Sequence, residues 1–599
     1  MSRLAAGVFA VLVIATFGAF FVAQRLKNAP PVLSRLTVFP FFSPNGDGRF
    51  DVARVSFKVK KTDDVSVAVL NASGDEVREL MSSRRVSSSE LVRLKWDGRT
   101  DDGARAPDGR YRYRITLQHE GRSVVPATSV RLDTTPPRPR VTSIGPRHEF
   151  GPELMPNGGD AVVHLDTPGQ RPVVRLFKTA PGQTRLVLQA KLDDGAKVWT
   201  WSGKTPSGRP VSPGTYLVSI ETRDVAGNRG LSPPLTRRGL PAAGYGARLP
   251  GHGGITVRYL GVRPPNVATR AGDPVEFFVD ARRKPWTWSV RRVGSGTATP
   301  SRRKTSARVR LHAPGRESGV YLMQVRTATR TTSVPFAVQS AKRHRVLVVL
   351  PVMTWQGRNS VDDDGDGLPN LLDRGVGAKL FRVYAGDGLP ADFATRDAPL
   401  LAWLDRRGHR YDITTDVALA AGRGPRLEDH RGVILTSDAR WLPRALQQRL
   451  RRYVRDGGRI ASFGIDALRR QVSLTRRGRM VDPTPPATTD IFGVRLRPLE
   501  RLPKPTNLVT ANDDIDFFAG TAGAFGPFSL VQETELPEAE ASAVTEDPQT
   551  GRPVISAQGL GKGLVMRFGA PELPSHLGAR ANDPNTVALL DRTWTLLSR

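Results

Sequence analysis

Two segments rich in Asp and Gly contain the residue types and spacing best suited to chemistry. In residues 362–373, oxygen-bearing side chains occupy positions 1, 3, 5, 9 and 12 of a loop with Gly at position 6. These side chains are Asp362, Asp364, Asp366, Asn370 and Asp373. A hard cation takes about six to eight oxygen ligands, and this spacing supplies them around a turn that favours Gly. We predict Ca²⁺ binding here, with a solvated turn as the alternative.

The other segment is the first loop in chain order. It lies near the amino terminus and repeats part of the pattern of the second loop, 362–373. Its positions 1, 3, 5 and 9 are filled, with Gly at position 6, by Ser43, Asn45, Asp47 and Asp51. Position 12 is Arg54, so the loop lacks the carboxylate that normally completes such a site. A structural turn is therefore favoured here, and Ca²⁺ is the alternative.

Other chemistry is sparse. The chain has no Cys, which excludes disulfides, thiolate metal sites and Cys nucleophiles. Neither an H-E-x-x-H nor a G-x-S-x-G motif occurs. Asp438, at the end of a predicted strand, is the candidate general base or metal ligand, and a helix-capping or solvated carboxylate is the alternative. His409 and His430 are predicted to be surface or loop residues.

One stretch, residues 281–316, is rich in Lys and Arg and contains no acidic residue. Such a surface attracts polyanions, and interleaved Trp side chains can stack on bases or sugars. The alternative is that the cations are solvated and the Trp residues face a core. The predicted polyanion-binding residues are Arg282, Arg283, Lys284, Trp286, Trp288, Arg291, Arg292, Arg302, Arg303 and Lys304.

A self-match with a period of 105 residues organises the amino-terminal half. Trp96 and Tyr111, separated by glycines that mark turns, recur as Trp201 and Tyr216. Units of about 100 residues with short strands and frequent turns are typical of immunoglobulin-like β-sandwiches. We predict such sandwiches at 33–134 and 137–237, and a third at 254–339.

The sandwiches also carry a recognisable motif. The stretch Phe42-Ser43-Pro44-Asn45-Gly46-Asp47-Gly48, together with the repeat, resembles the immunoglobulin-like domain of flagellar hook-capping proteins. The resemblance covers 38 to about 230. It implies a spacer or assembly module and implies no chemistry.

Residues 344–599 alternate apolar runs with amphipathic segments. Residues 345–350 form a continuous apolar run of the kind buried in a parallel sheet, and helix and strand patterns then alternate to 463. This order predicts a doubly wound α/β domain whose ligand crevice lies beyond the carboxyl ends of the strands.

Within this half, three segments resemble the large (beta) subunit family of N,N-dimethylformamidase. They are residues 347–359, 403–408 and 453–459, and the resemblance extends over roughly 255–599. It implies a class I glutamine amidotransferase-like fold. In that family the first segment ends in Tyr-Asn, and a later strand leads to His-x-Glu-Tyr-Trp.

This sequence departs from the family at the residues expected to hold iron. Arg358 precedes Asn359, and Ser437-Asp438-Ala439-Arg440-Trp441 lacks the His, the Glu and the second Tyr. Arg stays protonated and offers no lone pair to a metal. The departure disfavours a transition metal and amidase activity.

The amino terminus contains twenty uncharged residues, 4–23, which is about the length of a membrane-spanning helix. We predict an uncleaved signal anchor at 1–27, with a cleaved signal peptide as the alternative. The corresponding localisation is the cell membrane, single-pass, with most of the chain outside the cytoplasm.

The 599-residue chain has a formal charge of +32, almost all of it before residue 345. These features together predict a membrane-anchored cell-surface protein with a non-catalytic binding or envelope-organising role. The alternative is a metal-dependent amidohydrolase with an altered site. The predicted partners are the membrane and anionic lipid or cell-wall polymer, with nucleic acid disfavoured and any protein partner undetermined.

Overall fold

The structure is a computed structural model. It describes residues 3–27, 31–145, 149–150, 160–242, 244–246, 248–281, 284–300, 302–304, 306–536, 538–546, 550–578 and 583–599.

The amino-terminal segment forms one helix, α1 (Arg3–Lys27). Among the described residues, no helix is both long and apolar enough to cross a membrane. By this finding, the predictions of a signal anchor, of single-pass membrane localisation and of the membrane as partner are wrong.

Residues 33–132 form a sandwich of two sheets because buried and exposed residues alternate along their strands, as in β3. The sheet orders are β1-β3-β6 and β2-β9-β7-β4-β5, with β8 paired to β7. Trp96 and Tyr111 meet edge to face in the core, 4.7 Å between ring centres. The strands are β1 (Leu33–Val38), β2 (Phe41–Phe42), β3 (Ala53–Val59), β4 (Asp63–Leu70), β5 (Glu76–Val86), β6 (Val92–Trp96), β7 (Gly109–Leu117), β8 (Arg122–Val124) and β9 (Val130–Leu132).

The second sandwich repeats this topology, with sheet orders β10-β12-β15 and β11-β18-β16-β13-β14, and β17 paired to β16. Trp201 and Tyr216 pack 5.5 Å apart, in the place of the first Trp–Tyr pair. Its last strand, β18, lies beyond residue 237. The strands are β10 (Arg140–Gly145), β11 (Glu149–Phe150), β12 (Ala161–Asp166), β13 (Gln170–Ala180), β14 (Arg185–Lys191), β15 (Val198–Trp201), β16 (Gly214–Arg223), β17 (Arg229–Ser232) and β18 (Gly254–Val257).

A third sandwich follows directly, with orders β19-β21-β24 and β20-β26-β25-β22-β23. Its Val290 belongs to the same hydrophobic core as Val348 of the next region, so these two parts of the chain pack as one unit. The strands are β19 (Gly261–Arg263), β20 (Thr269–Arg270), β21 (Pro274–Asp280), β22 (Trp286–Arg292), β23 (Arg302–Lys304), β24 (Arg308–His312), β25 (Gly319–Arg326) and β26 (Thr331–Gln339).

The carboxy-terminal region is built on one nine-stranded sheet. The region as a whole, including strands outside this sheet, contains β27 (Val346–Leu350), β28 (Ala378–Lys379), β29 (Asp412–Thr415), β30 (Gly432–Leu435), β31 (Trp441–Leu442), β32 (Arg459–Ser462), β33 (Arg470–Gln471), β34 (Ser473–Leu474), β35 (Arg479–Val481), β36 (Arg495–Leu496), β37 (Glu500–Asp513), β38 (Ala524–Val531), β39 (Thr534–Glu535), β40 (Ala541–Thr545), β41 (Ile555–Leu560) and β42 (Gly563–Phe568). Its helices are α2 (Val352–Gly357), α3 (Ala398–Arg406), α4 (Asp416–Ala420), α5 (Arg444–Arg455) and α6 (Pro584–Ser598).

The order of this sheet is β29-β27-β30-β32-β42-β41-β40-β37-β38. Pairing is parallel from β29 to β42 and antiparallel from β42 to β38. Helices make up only 14% of the chain, which is a many-stranded β protein. The prediction of a doubly wound α/β domain of glutamine amidotransferase type is therefore wrong. The helix–strand alternation extends only to residue 463. The strands after it pair with antiparallel neighbours, which need no crossover helices.

Candidate functional site

The second acidic loop brings three of its predicted ligands together. Carboxylate oxygens of Asp362, Asp364 and Asp366 all lie within 4.8 Å of one another. Asn370 contacts the group, since its Nδ2 donates to Asp364 Oδ2 at 3.2 Å. Asp373 lies elsewhere and pairs with Arg470 at 3.1 Å. The structure therefore gathers positions 1, 3, 5 and 9 and leaves position 12 out.

The backbone and the burial of this loop set its electrostatics. Gly365 N and Gly367 N donate to the two carboxylate oxygens of Asp362, at 2.7 and 2.8 Å. Burial, together with the charge of Asp366, nevertheless raises the pKa of Asp362 to about 7. Burial also raises the pKa of Asp366. A cation among these oxygens would offset the cost of holding them ionised.

The loop is wedged against the second sandwich. Gly254 N donates to Gly365 O at 2.9 Å, and Thr179 Oγ1 donates to Gly367 O at 2.6 Å. On the other side, the buried Arg382 pairs with Asp363 at 3.0 Å. The acidic loop is thus the joint between the second sandwich and the carboxy-terminal region.

The first loop is also a joint, and its oxygens already have partners. Gly46 N and Gly48 N donate to the carboxylate of Asp51, both at 2.8 Å. Ser43 Oγ donates at 2.5 Å to Oδ1 of Asn228, a residue of the second sandwich. Asn228 Nδ2 in turn donates to Asp133 O at 2.7 Å.

Asn45 Nδ2 also approaches Asn228 Oδ1, at 3.2 Å. The Asp47 carboxylate accepts a bond from Arg49 N and lies 3.9 Å from Arg223. These contacts agree with a structural role for this loop, which is the role predicted from its lack of a twelfth ligand. Sequence reasoning missed Asn228, because it lies 185 residues from Ser43.

Asp438 lies beyond the carboxyl ends of β30 and β32, where the sequence predicts the ligand crevice. Its carboxylate pairs with Arg396 at 2.8 Å and with Arg440 at 3.0 Å. Ile465 N donates to it at 2.9 Å. Only 5% of the side chain is exposed. The candidate base is therefore held inside a set of ion pairs.

The ion pairs extend into a crevice cluster in which carboxylates and guanidinium groups alternate. Arg358 binds Asp392 at 2.8 Å, and Arg469 and Arg470 both donate to Asp466. Burial acts to raise the pKa of Asp392, but the bond from Arg358 and the charges of Arg358, Arg396 and Arg440 together outweigh it and lower that pKa below its ordinary value. The crevice cluster consists of Arg358, Arg396, Arg440, Arg469, Arg470, Asp373, Asp392, Asp438 and Asp466.

The two family motif residues that this sequence retains have structural roles. Asn359 Nδ2 donates to Gln356 Oε1 and to Val383 O, both at 3.0 Å. Trp441 is fully buried beneath the guanidinium of Arg470, 5.1 Å from its ring centre. Both residues are buried and hold neighbouring segments in place.

The two Trp side chains of the basic stretch are buried and do not reach the surface. Trp286 and Trp288 are 2% and 8% exposed, because they lie on the core face of β22. Arg292 forms a two-bond ion pair with Asp405 of α3, at 2.6 and 2.8 Å. These contacts leave no Trp face for stacking.

The other predicted patch residues contribute less. Lys284 and Arg291 are half-buried, and Arg302 lies over the Trp288 ring at 5.9 Å. Arg282 and Arg283 lie outside the described residues, as do the side chains of Arg303 and Lys304.

Two fully buried carboxyls near the crevice make stability depend on pH. Burial raises the pKa of Asp397 to about 7 and that of Asp416 to about 8. Above about pH 4 the folded protein keeps protons that the unfolded chain releases. We expect the free energy of unfolding to fall by about 1.4 kcal/mol per pH unit for each carboxyl as pH rises from 5 to 7.

Urea denaturation at pH 5, 6 and 7 measures this slope. Asp397→Asn and Asp416→Asn should each flatten it by about one group's share. A profile that is flat in the parent protein, or that neither variant changes, contradicts the prediction.

Comparison with known families identifies two parts of the chain. Residues 304–490 match the family model described as N,N-dimethylformamidase beta subunit-like, C-terminal, and residues 47–121 match the FlgD Ig-like domain. The chain thus carries a dimethylformamidase-like region after an Ig-like domain. Both predicted resemblances are confirmed, although the first match begins inside the third sandwich and ends at 490. No protein of curated function matches the chain.

Solved structures give only weak likenesses. The exo-beta-1,4-mannosidase Op5Man5 from Opitutaceae bacterium strain TAV5 is 13% identical, with 43% of this chain and 36% of that chain covered and a TM-score of 0.26. The fibronectin(III)-like modules of Clostridium thermocellum CbhA are 14% identical, with 33% and 88% covered and a TM-score of 0.17. The chain therefore spans about a third of the mannosidase.

The dimethylformamidase-like region does not provide the ligands that its family's iron implies. Arg358 stands where the motif has Tyr, and its guanidinium pairs with Asp392. Ser437, Ala439 and Arg440 stand where the motif has His, Glu and the second Tyr, and the guanidinium of Arg440 pairs with Asp438. Protonated guanidinium groups have no lone pair to give a metal, so these residues do not fit the group.

Proposed function

We propose that the dimethylformamidase-like region is a non-catalytic binding domain, held in a set orientation by the Ig-like sandwiches. The main support is Asp438, the candidate catalytic carboxylate, which is buried and paired with two Arg side chains. A general base must reach the proton that it abstracts and must be able to accept it. The Asp438 carboxylate is enclosed by Arg396 and Arg440 and does not meet the first condition.

The alternative is a metal-dependent amidohydrolase with an altered site, which the family match favours. Metal analysis of the purified protein separates the two functions. Stoichiometric iron or another transition metal, together with hydrolysis of N,N-dimethylformamide or another small amide, would overturn the non-catalytic proposal. Protein that contains no such metal, and does not hydrolyse these amides when transition metals are supplied, supports it.

We further propose that the acidic loop at 362–370 binds Ca²⁺ and stiffens the joint with the second sandwich. Three carboxylates converge there, and the loop's Gly365 and Gly367 bond directly to the sandwich. Carboxylate and carbonyl oxygens are the ligands that Ca²⁺ prefers. An ion bound by the folded loop alone stabilises the folded protein by mass action.

Calorimetric titration and thermal unfolding test this calcium proposal. At a free Ca²⁺ concentration about 100 times the Kd, we expect about 2.7 kcal/mol of stabilisation. Asp364→Asn, which changes an exposed carboxylate of the group, should weaken binding about tenfold or more. Asp47→Asn in the first loop is the matched control and should leave the affinity unchanged. Absence of binding heat and of any thermal shift at 10 mM Ca²⁺ would retire the proposal.

A further inference from the structure

A cavity of about 570 Å³ lies beside β29, the edge strand of the nine-stranded sheet. It is bounded by β29, by the segment 423–430 and by the linker 339–343 that joins the third sandwich to the sheet. The crevice cluster contributes none of its lining residues. Its volume is in the range of sites that bind small molecules.

The floor of the cavity includes two polar side chains of β29. Asp412 and Thr414 are two residues apart, so they lie on the same face of the strand. They are 3% and 1% exposed. Asp412 Oδ1 and Thr414 Oγ1 have no hydrogen-bond partner among the described residues. Because buried polar atoms are almost always paired, these two are open to a partner that is not a residue of the chain, either water or a ligand.

His430 forms a hydrogen bond with the other carboxylate oxygen of Asp412. Its Nε2 lies 3.0 Å from Asp412 Oδ2, and its Nδ1 lies 2.7 Å from Arg426 O. Asp412 is therefore oriented by His430, and its Oδ1 is left for a donor on a ligand.

The rim of the cavity is positively charged. Arg270, Lys342 and Arg423 are exposed lining residues that form no ion pair with another described residue. Arg426 and Arg343 share a single carboxylate, that of Asp429, at 3.0 and 4.0 Å. Five cations therefore face one rim carboxylate, an arrangement that attracts a multiply charged anion.

We propose that this cavity binds a monosaccharide phosphate. A sugar hydroxyl would donate to Asp412 Oδ1 while a neighbouring hydroxyl bonds with Thr414 Oγ1. The phosphate would lie at the rim, where Arg423 and its neighbours supply charge-assisted hydrogen bonds. A neutral sugar lacks the rim interaction, and inorganic phosphate lacks the floor interaction. This proposal depends neither on calcium nor on the absence of catalysis.

Isothermal titration of the full chain at low ionic strength provides the test. The probes are glucose 1-phosphate, glucose 6-phosphate and N-acetylglucosamine 1-phosphate, with glucose and inorganic phosphate as comparators. We expect at least one sugar phosphate to bind at least tenfold more tightly than both comparators. Thr414→Val, which keeps the side-chain shape, and Arg423→Ala should each weaken that binding at least fivefold.

Arg476→Ala is the matched control, since Arg476 is an exposed Arg outside the cavity lining. It should leave the affinity unchanged. Failure of all three sugar phosphates to bind at 10 mM would overturn the proposal. Equal affinity for inorganic phosphate would overturn it as well, because the floor would then play no part. So would binding that neither cavity variant weakens.

Discussion

Replacing Asp438 with Asn is expected to lower the free energy of unfolding by about 3–5 kcal/mol. The carboxylate lies between Arg396 and Arg440, and Arg358 approaches it at 3.9 Å. Asn has nearly the same shape but no charge, so the variant removes the nearest counter-charge of Arg396 and of Arg440. Urea denaturation of the parent and of Asp438→Asn at one pH measures the difference.

The matched control is Glu428→Gln, which removes an exposed carboxylate 3.4 Å from Arg449. An exposed pair of this kind contributes at most about 1 kcal/mol, so little change is expected. The same experiment bears on function. If Asp438→Asn kept its stability and abolished hydrolysis of a small amide, Asp438 would be a catalytic carboxylate and the non-catalytic proposal would fail.

Replacing Gly254 with Ala is expected to lower the free energy of unfolding by about 1–3 kcal/mol, because it disturbs the joint between the second sandwich and the acidic loop. An added methyl group would lie against Asp362 Oδ2 and Gly367 N, closer than van der Waals contact permits. The loop would have to move away from the sandwich, which also separates its carboxylates. We therefore expect a lower Tm and, if the loop binds Ca²⁺, a weaker affinity.

Gly251→Ala is the control for this substitution, because a methyl group there meets no atom within 4 Å. It should leave both the Tm and the calcium titration unchanged. Equal stability of Gly254→Ala and Gly251→Ala would contradict the close packing at this joint. Limited proteolysis at the joint gives an independent measure of how firmly the loop is held.

The repeat was predictable because it is carried by large residues with one role. Trp96 and Tyr111 pack together in the first core, and Trp201 and Tyr216 pack together in the second. Burial of such pairs stabilises each sandwich locally, so their spacing is retained in the sequence. The charged stretch after residue 281 was harder to interpret, because composition does not tell which face of β22 carries Trp286 and Trp288.

In the acidic loop, the spacing of residues predicts the position of some side chains but not of all. Asp362, Asp364 and Asp366 converge as the loop pattern predicts, since a tight turn sets their positions. Asp373 does not join them, because the short helix Leu372–Arg374 directs its side chain toward Arg470. The direction of the twelfth position therefore depends on a distant partner, Arg470, as well as on this local turn.

The prediction of a doubly wound α/β domain is wrong for a related reason. The helix–strand alternation after residue 345 does produce parallel strands, but β37, β38, β40 and β41 extend the sheet with antiparallel pairs. Strand direction depends on which neighbours pair, and pairing partners lie far apart in the chain. His430, predicted as a surface or loop residue, is buried against Asp412 for the same reason.

The sequence by itself determined the repeated sandwiches, the convergence of three acidic residues and the family resemblances, because each depends on contacts between residues close in the chain. The tertiary structure decided what these residues do. It turned both Asp- and Gly-rich loops into joints on the second sandwich, through Asn228 and Gly254. It also surrounded Asp438 with guanidinium groups from separate segments. Charge pairing and close packing act through space, so residues far apart in sequence set the environment of each candidate site.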